Sequence, residues 1–243
     1  MSNTTVLNNV DHKNLKVDTR PGSSLSMHTN RSLVYAVEIG ELHKEFPLVF
    51  YKDPNSGQTQ LHAILGLDLD ENLFIGESGW ITRYVPAILA RGPFSLGYKK
   101  TENAEQQQSD PLICVDMDDP RVNTEQGEDV FLQFGGEAPY LNYVKKALQT
   151  IEKGLHFDKT LYTMLESMDL LEPVAIQIKL SNVEEVNFSD YYTVNQEKLA
   201  QLDGENIAKL HQYGVLSLLY FVLSSMGNFQ QLIQLKNAKS AMF

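Results

Sequence analysis

Three groups of residues in this 243-residue chain have types and spacings that could do chemistry. The first is His43-x-Glu45 together with His62. Two imidazoles and a carboxylate are the donor set of an oxygenase-like iron centre, which keeps open positions on the metal. The second is Asp116, Asp118 and Asp119, directly after an apolar run, where carboxylate oxygens suit Mg²⁺ or Ca²⁺. The third is Trp80–Phe94, which gathers the only tryptophan, Tyr84, Pro86, Arg91, Pro93 and Phe94 into fifteen residues. Aromatic faces and a guanidinium build pockets for small ligands, the rings supplying contact area and the fork of Arg91 a partner for a carboxylate.

Each group also has a plainer structural reading. Short His/Glu pairs arise by chance, and Asp119-Pro120 marks the acidic run as a solvated turn. Aromatics and prolines can equally brace a turn between strand and helix. Other signatures fail on spacing. Asp68-x-Asp70-x-Asn72 opens like a calcium loop, but its sixth and twelfth places hold Leu73 and Gly79 instead of Gly and Glu. Gly76-Glu77-Ser78-Gly79 misses the nucleophile elbow by one residue, and neither a dinucleotide fingerprint nor a phosphate loop is found. Cys114, in Leu112-Ile113-Cys114-Val115, reads as a small apolar strand residue. His211 falls near a helix C-terminus, where an imidazole complements the dipole. No cofactor is implied by the residues.

The elements that must position these groups change character along the chain. Residues 1–30 are polar and read as a poorly ordered arm, with Pro21-Gly22-Ser23-Ser24 its most flexible piece and Leu15 and Val17 its points of docking. Ser32–Val37, Pro47–Tyr51, Gln60–Leu67, Leu73–Ile75 and Leu112–Asp116 have strand composition, with turn chemistry between them at Asp53-Pro54-Asn55-Ser56-Gly57. Thr101–Asp110 is a polar surface insert. Asn123–Gly136 is expected to be irregular, with Val130, Phe131 and Phe134 turned inward. The period then becomes helical. Tyr140–Ile151 predicts one helix ending near Gly154, and Leu161–Met168 a second, capped by Asp158. Pro173–Leu180 alternates as a strand, with Glu185–Val194 its hairpin partner. Helices follow over Gln196–Leu202, Gly204–Tyr213 (capped by Asp203) and Val215 to about Lys236, the last nearly apolar all round at its start and with Gly227 as a break or a close contact. The fold class is α+β: an antiparallel, strand-rich N-terminal half packed with a helix-rich C-terminal half. The arm, 1–30, precedes a single domain over 31–243, with 31–136 and 137–243 as candidate sub-domains.

A net charge of −11 repels nucleic acid and anionic membrane surfaces, and no basic cluster offsets it. The N-terminus lacks a basic start followed by an apolar stretch, and Val215–Met226 is too short to span a bilayer. The chain is therefore expected to be soluble and cytoplasmic, with no membrane span.

A further set of residues carries a family resemblance. His12-Lys13-Asn14-Leu15-Lys16-Val17 and Phe46–Asp53 begin it. Gly66-Leu67, Glu71–Phe74, Trp80, Tyr84-Val85-Pro86, Arg91–Phe94 and Cys114-Val115-Asp116 continue it. Leu171-Glu172-Pro173, Tyr192–Asn195, Ser225–Asn228 and Lys236-Asn237 complete it. The chain resembles the SapC family of bacterial proteins across nearly its whole length. It departs at Asn228, where many relatives carry histidine. The resemblance carries over no catalytic residues. Its name comes from surface-layer loci, and relatives are encoded near TonB-dependent receptors, flavin-dependent halogenase-like proteins and cupin-like proteins. It thus implies an accessory role in nutrient uptake or at the cell surface. Two functions follow: a soluble protein binding a partner protein or small ligand through Trp80, Tyr84, Arg91 and Phe94, or a metal-dependent enzyme using His43, Glu45 and His62.

Overall fold

A computed structural model describes residues 3–20, 28–98, 111–180 and 185–241. The Pro21–Ser24 piece and the Thr101–Asp110 insert lie outside them. Strands β1 (Thr4–Val6), β2 (Lys16–Val17) and β3 (Arg31–Val34) lead through a 3₁₀ turn, Ala36–Glu38, into the one-turn helix α1 (Ile39–Leu42). The hairpin of β4 (Leu48–Lys52) and β5 (Thr59–Ile64) turns where Asp53 accepts from the N–H groups of Asn55 and Ser56 and Gly57 takes φ of +69°. Next come β6 (Ile75–Gly76), β7 (Gly79–Trp80), α2 (Ala87–Ala90), β8 (Phe94–Gly97) and β9 (Leu112–Asp116). Two-residue strands β10 (Val122–Asn123) and β11 (Glu128–Asp129) precede the longest element, α3 (Pro139–Ser167). The hairpin of β12 (Leu171–Lys179) and β13 (Glu185–Val194) is followed by α4 (Gln196–Gln201), α5 (Gly204–Gln212), α6 (Val215–Ser225) and α7 (Phe229–Ser240).

The largest sheet runs β12-β13-β4-β5-β3, all antiparallel, so the C-terminal hairpin extends the N-terminal one. Smaller sheets run β1-β9-β8 and β10-β2-β11, and β6 pairs with β7. This is the expected α+β architecture. The N-terminal arm contributes directly: β1 pairs with β9, and Leu15 and Val17 are buried.

Two apolar cores lie on either side of the turn at residues 35–39. The larger joins β3, β4 and β5 to α1, the C-terminal half of α3, the C-terminal hairpin and α4 to α7. The smaller joins Leu15, Val17, Phe94, Val115 and Val130 to Leu141, Val144, Leu148 and Ile151 of α3. One helix therefore serves both cores.

That helix corrects the reading of two helices split near Gly154. α3 runs unbroken from Pro139 to Ser167, and Asp158 lies inside it, not at a cap. Gly154 is there for contact: a Cβ would stand 2.4 Å from the Cβ of Tyr35 and 2.5 Å from its ring. Phe134 is a second correction. It is 96% exposed, whereas Val130 is fully buried. The turn through Gly135, at φ +83°, closes the short bridge between Phe131 and Glu137, and Phe134 stands outside it. The strand expected at Leu73–Ile75 is shifted too, to Ile75–Gly76, while Leu73 and Phe74 are buried in a turn. The C-terminal helix is broken by a 3₁₀ turn, Met226–Asn228, at the expected glycine.

Candidate functional site

Five separate stretches meet around a cavity of about 190 Å³. Val17 to Arg20 line it from the end of β2, and Ile75, Gly79 and Trp80 from the small β6–β7 ribbon. Val85, Leu89, Ala90 and Gly92 come from the segment around α2, and Arg121, Tyr140 and Tyr143 complete the wall. Tyr140 and Tyr143 are three apart near the start of α3, so one face of the helix presents both rings. Gly92, at φ +58°, permits the close approach: a Cβ there would meet the Tyr140 hydroxyl at 2.9 Å. Gly79 has φ of +113°, which turns the ribbon so that Trp80 pairs with Ile75.

The cavity's charges are organised in pairs. Arg20 donates from Nε and Nη2 to the two carboxylate oxygens of Asp18, at 2.9 and 2.6 Å. Arg121 holds Asp119 in the same two-pronged way, at 2.9 and 2.7 Å, and both partners are largely buried. That bond raises the Arg121 pKa and holds the Asp119 carboxyl below its ordinary range. Burial raises the pKa of the Tyr140 and Tyr143 phenols, so both are neutral hydroxyls at physiological pH.

Behind the cavity lies a buried acidic network that the sequence reading missed. Glu38, 1% exposed, accepts from the N–H of Tyr35 at 3.0 Å, the N–H of Ala87 at 2.7 Å and the hydroxyl of Tyr84 at 3.0 Å. The Ala87 amide is the otherwise orphaned first donor of α2, so a carboxylate stands where a cap is needed. Burial pushes the Glu38 carboxyl up, against the pull of its three donors. Asp158 on α3 accepts from the N–H of Ala36 at 2.9 Å. Burial first, and then the charge of Glu38, push its carboxyl up to about 6. Two buried acids thus clamp the 35–39 turn between α3 and the α2 segment.

The four residues expected to bind ligand divide between the wall and its support. Trp80 lines the cavity. Tyr84 is bonded to Glu38, and Phe94 is fully buried in the smaller core with its ring centroid 6.3 Å from that of Tyr140. Arg91 donates from Nη1 to the Phe94 carbonyl at 2.5 Å; burial, and then the nearby Arg121, lower its pKa. The profile of the SapC family matches residues 7–232. The chain belongs to the SapC family. No curated protein and no solved structure matches it.

Every wall of the cavity lies within the part of the chain that matches SapC. The SapC fold here does not bring the three metal-ligand candidates together. His43 stacks on Phe221 at 4.2 Å and donates from Nδ1 to the Ile39 carbonyl at 3.0 Å. Glu45 accepts from the Arg83 N–H and pairs with its guanidinium. His62 is buried on β5, edge-on to Tyr51, with Nε2 3.0 Å from the Gln60 side-chain oxygen. Among the described residues no group of three or more His, Cys, Asp and Glu is placed to hold a metal ion. The aspartate cluster is also occupied: Asp119 holds Arg121, Asp118 accepts from the Asn3 N–H, and Asp116 accepts from the Asp118 N–H. Asn228 donates from Nδ2 to the carbonyls of His43 and Phe46, tying the start of α7 to the end of α1.

Asp18, Arg20, Arg121, Tyr140 and Tyr143 were not among the expected site residues. The i, i+3 tyrosines were a visible signal. The arginine–aspartate pairs, two residues apart in each case, were another. What joins them is tertiary: β2 is held between β10 and β11, and the Asp18 N–H donates to the Arg121 carbonyl at 2.9 Å.

Proposed function

We propose that this SapC-family protein is a binding protein that takes a small ligand in the cavity beneath Trp80 and so serves as an accessory factor. The supporting observation is the cavity itself: three aromatic rings and two carboxylate-braced guanidiniums converge on one concave space from four stretches of chain. Pockets that hold small molecules combine apolar walls with a few placed polar groups. At about 190 Å³ the space suits a metabolite of amino-acid size, below the roughly 300–1,000 Å³ of sites for larger ligands. The family resemblance supports placing that step in nutrient uptake or a surface-associated process.

A melting-temperature screen of small metabolites against the wild-type protein, Trp80→Ala and Tyr143→Ala tests the reading. Ligands that raise the wild-type midpoint should lose that effect in both variants, because only binding to the folded state stabilises it. Stabilisation that survives in both variants would place the site elsewhere and contradict the proposal.

A further inference from the structure

We infer that the cavity selects small carboxylates, with Arg121 as the anchor and Trp80 and Tyr143 as the walls around the ligand's apolar part. This rests on the binding reading above and adds a ligand class to it. Arg121 lines the cavity and is 15% exposed. Its Nε and Nη2 are committed to Asp119, which fixes the guanidinium in orientation. Its Nη1 donates to nothing among the described residues. A carboxylate accepting from Nη1 makes a charge-assisted bond to a donor that is already oriented, so little side-chain entropy is lost on binding.

A second guanidinium stands near the anchor. Asp18 pairs with Arg20 and Asp119 with Arg121, while Arg91 donates to the Phe94 carbonyl and is drawn to Asp119 without a direct ion pair among the described residues. Its buried charge stands close enough to Arg121 for the two to repel. Arg91 and Arg121 thus stand together beside the cavity in a protein of net charge −11. A carboxylate bound to the Nη1 of Arg121 gains from a half-buried site, where water screens the attraction poorly. The phenols of Tyr140 and Tyr143 stay protonated, so they can donate to the ligand and do not repel it.

The test compares benzoate with benzamide, which have the same ring and nearly the same shape, by calorimetric titration of the wild-type protein. Benzoate should bind at least about tenfold more tightly, and the advantage should shrink as salt is added. Arg121→Gln, checked for folding by its melting transition, should abolish the difference and leave benzamide unchanged. The wild-type comparison needs no variant, so a folding defect in Arg121→Gln does not blunt it. Equal affinities for the two compounds, both lost in Tyr143→Ala, would overturn the carboxylate assignment and leave the cavity as a binding site. No binding of benzoate, together with metabolite hits that prove insensitive to Trp80→Ala, would overturn both.

Discussion

Glu38 is the side chain on which the α2 side of the cavity depends. Replacing it with alanine leaves the amides of Tyr35 and Ala87 and the Tyr84 hydroxyl without their acceptor in a buried setting. We expect Glu38→Ala to lower stability by about 3 kcal/mol or more in urea unfolding, and Glu38→Gln, which keeps one acceptor oxygen, to lose less. Two other buried groups make opposite contributions to the pH profile. The Asp158 carboxyl is raised from 3.8 to about 6, so the folded state holds the extra proton. The stability this gives is present below pH 3.8 and lost as pH rises through about 6. His62 is lowered from 6.5 to about 4 by burial and by Arg31. Its contribution is present above pH 6.5 and lost as pH falls through about 4. Urea midpoints between pH 4 and 6.5 should therefore slope more steeply upward with pH in Asp158→Asn than in the wild type. In His62→Gln they should slope the other way.

At the scale of elements, α3 joins the site to the rest of the molecule. Its first turns carry Tyr140 and Tyr143, its middle carries Gly154 against Tyr35, and its later part carries Asp158 against the Ala36 amide. Glycine inside a helix normally costs about 1 kcal/mol relative to alanine. Here Gly154→Ala should reverse that sign and destabilise by about 1–3 kcal/mol, because the methyl would overlap the Tyr35 side chain. A rise in melting temperature would show that Tyr35 moves aside. This contact also explains why the sequence predicts two helices where one stands. Gly154 and Asp158 look like a helix end followed by a new cap, and only the chain at residues 35–36, more than a hundred positions away, gives them another purpose. Elements with strong local signals were legible: β9 and β13 have the expected bounds, Asp203 caps α5 by accepting from the Asn206 N–H, and Gly227 breaks the last helix. The candidate site was legible in part. Trp80 announced itself by composition, but Arg121 and Asp18 meet it only because β2 threads between β10 and β11.

For the whole molecule, the five-stranded sheet and its helices form one core, and the cavity sits on the other, beside the 35–39 turn. No helix among the described residues is long and apolar enough to cross a membrane. The binding account makes the cavity the site of function, and the single tryptophan on its wall supplies a direct reporter. The decisive measurement is the emission of Trp80 during titration with benzoate and with any metabolite found by thermal screening. The account predicts a saturable change that follows calorimetric binding in the wild type and disappears in Tyr143→Ala. Binding seen by calorimetry with Trp80 emission unmoved would contradict it, because the ligand would then occupy a different part of the protein.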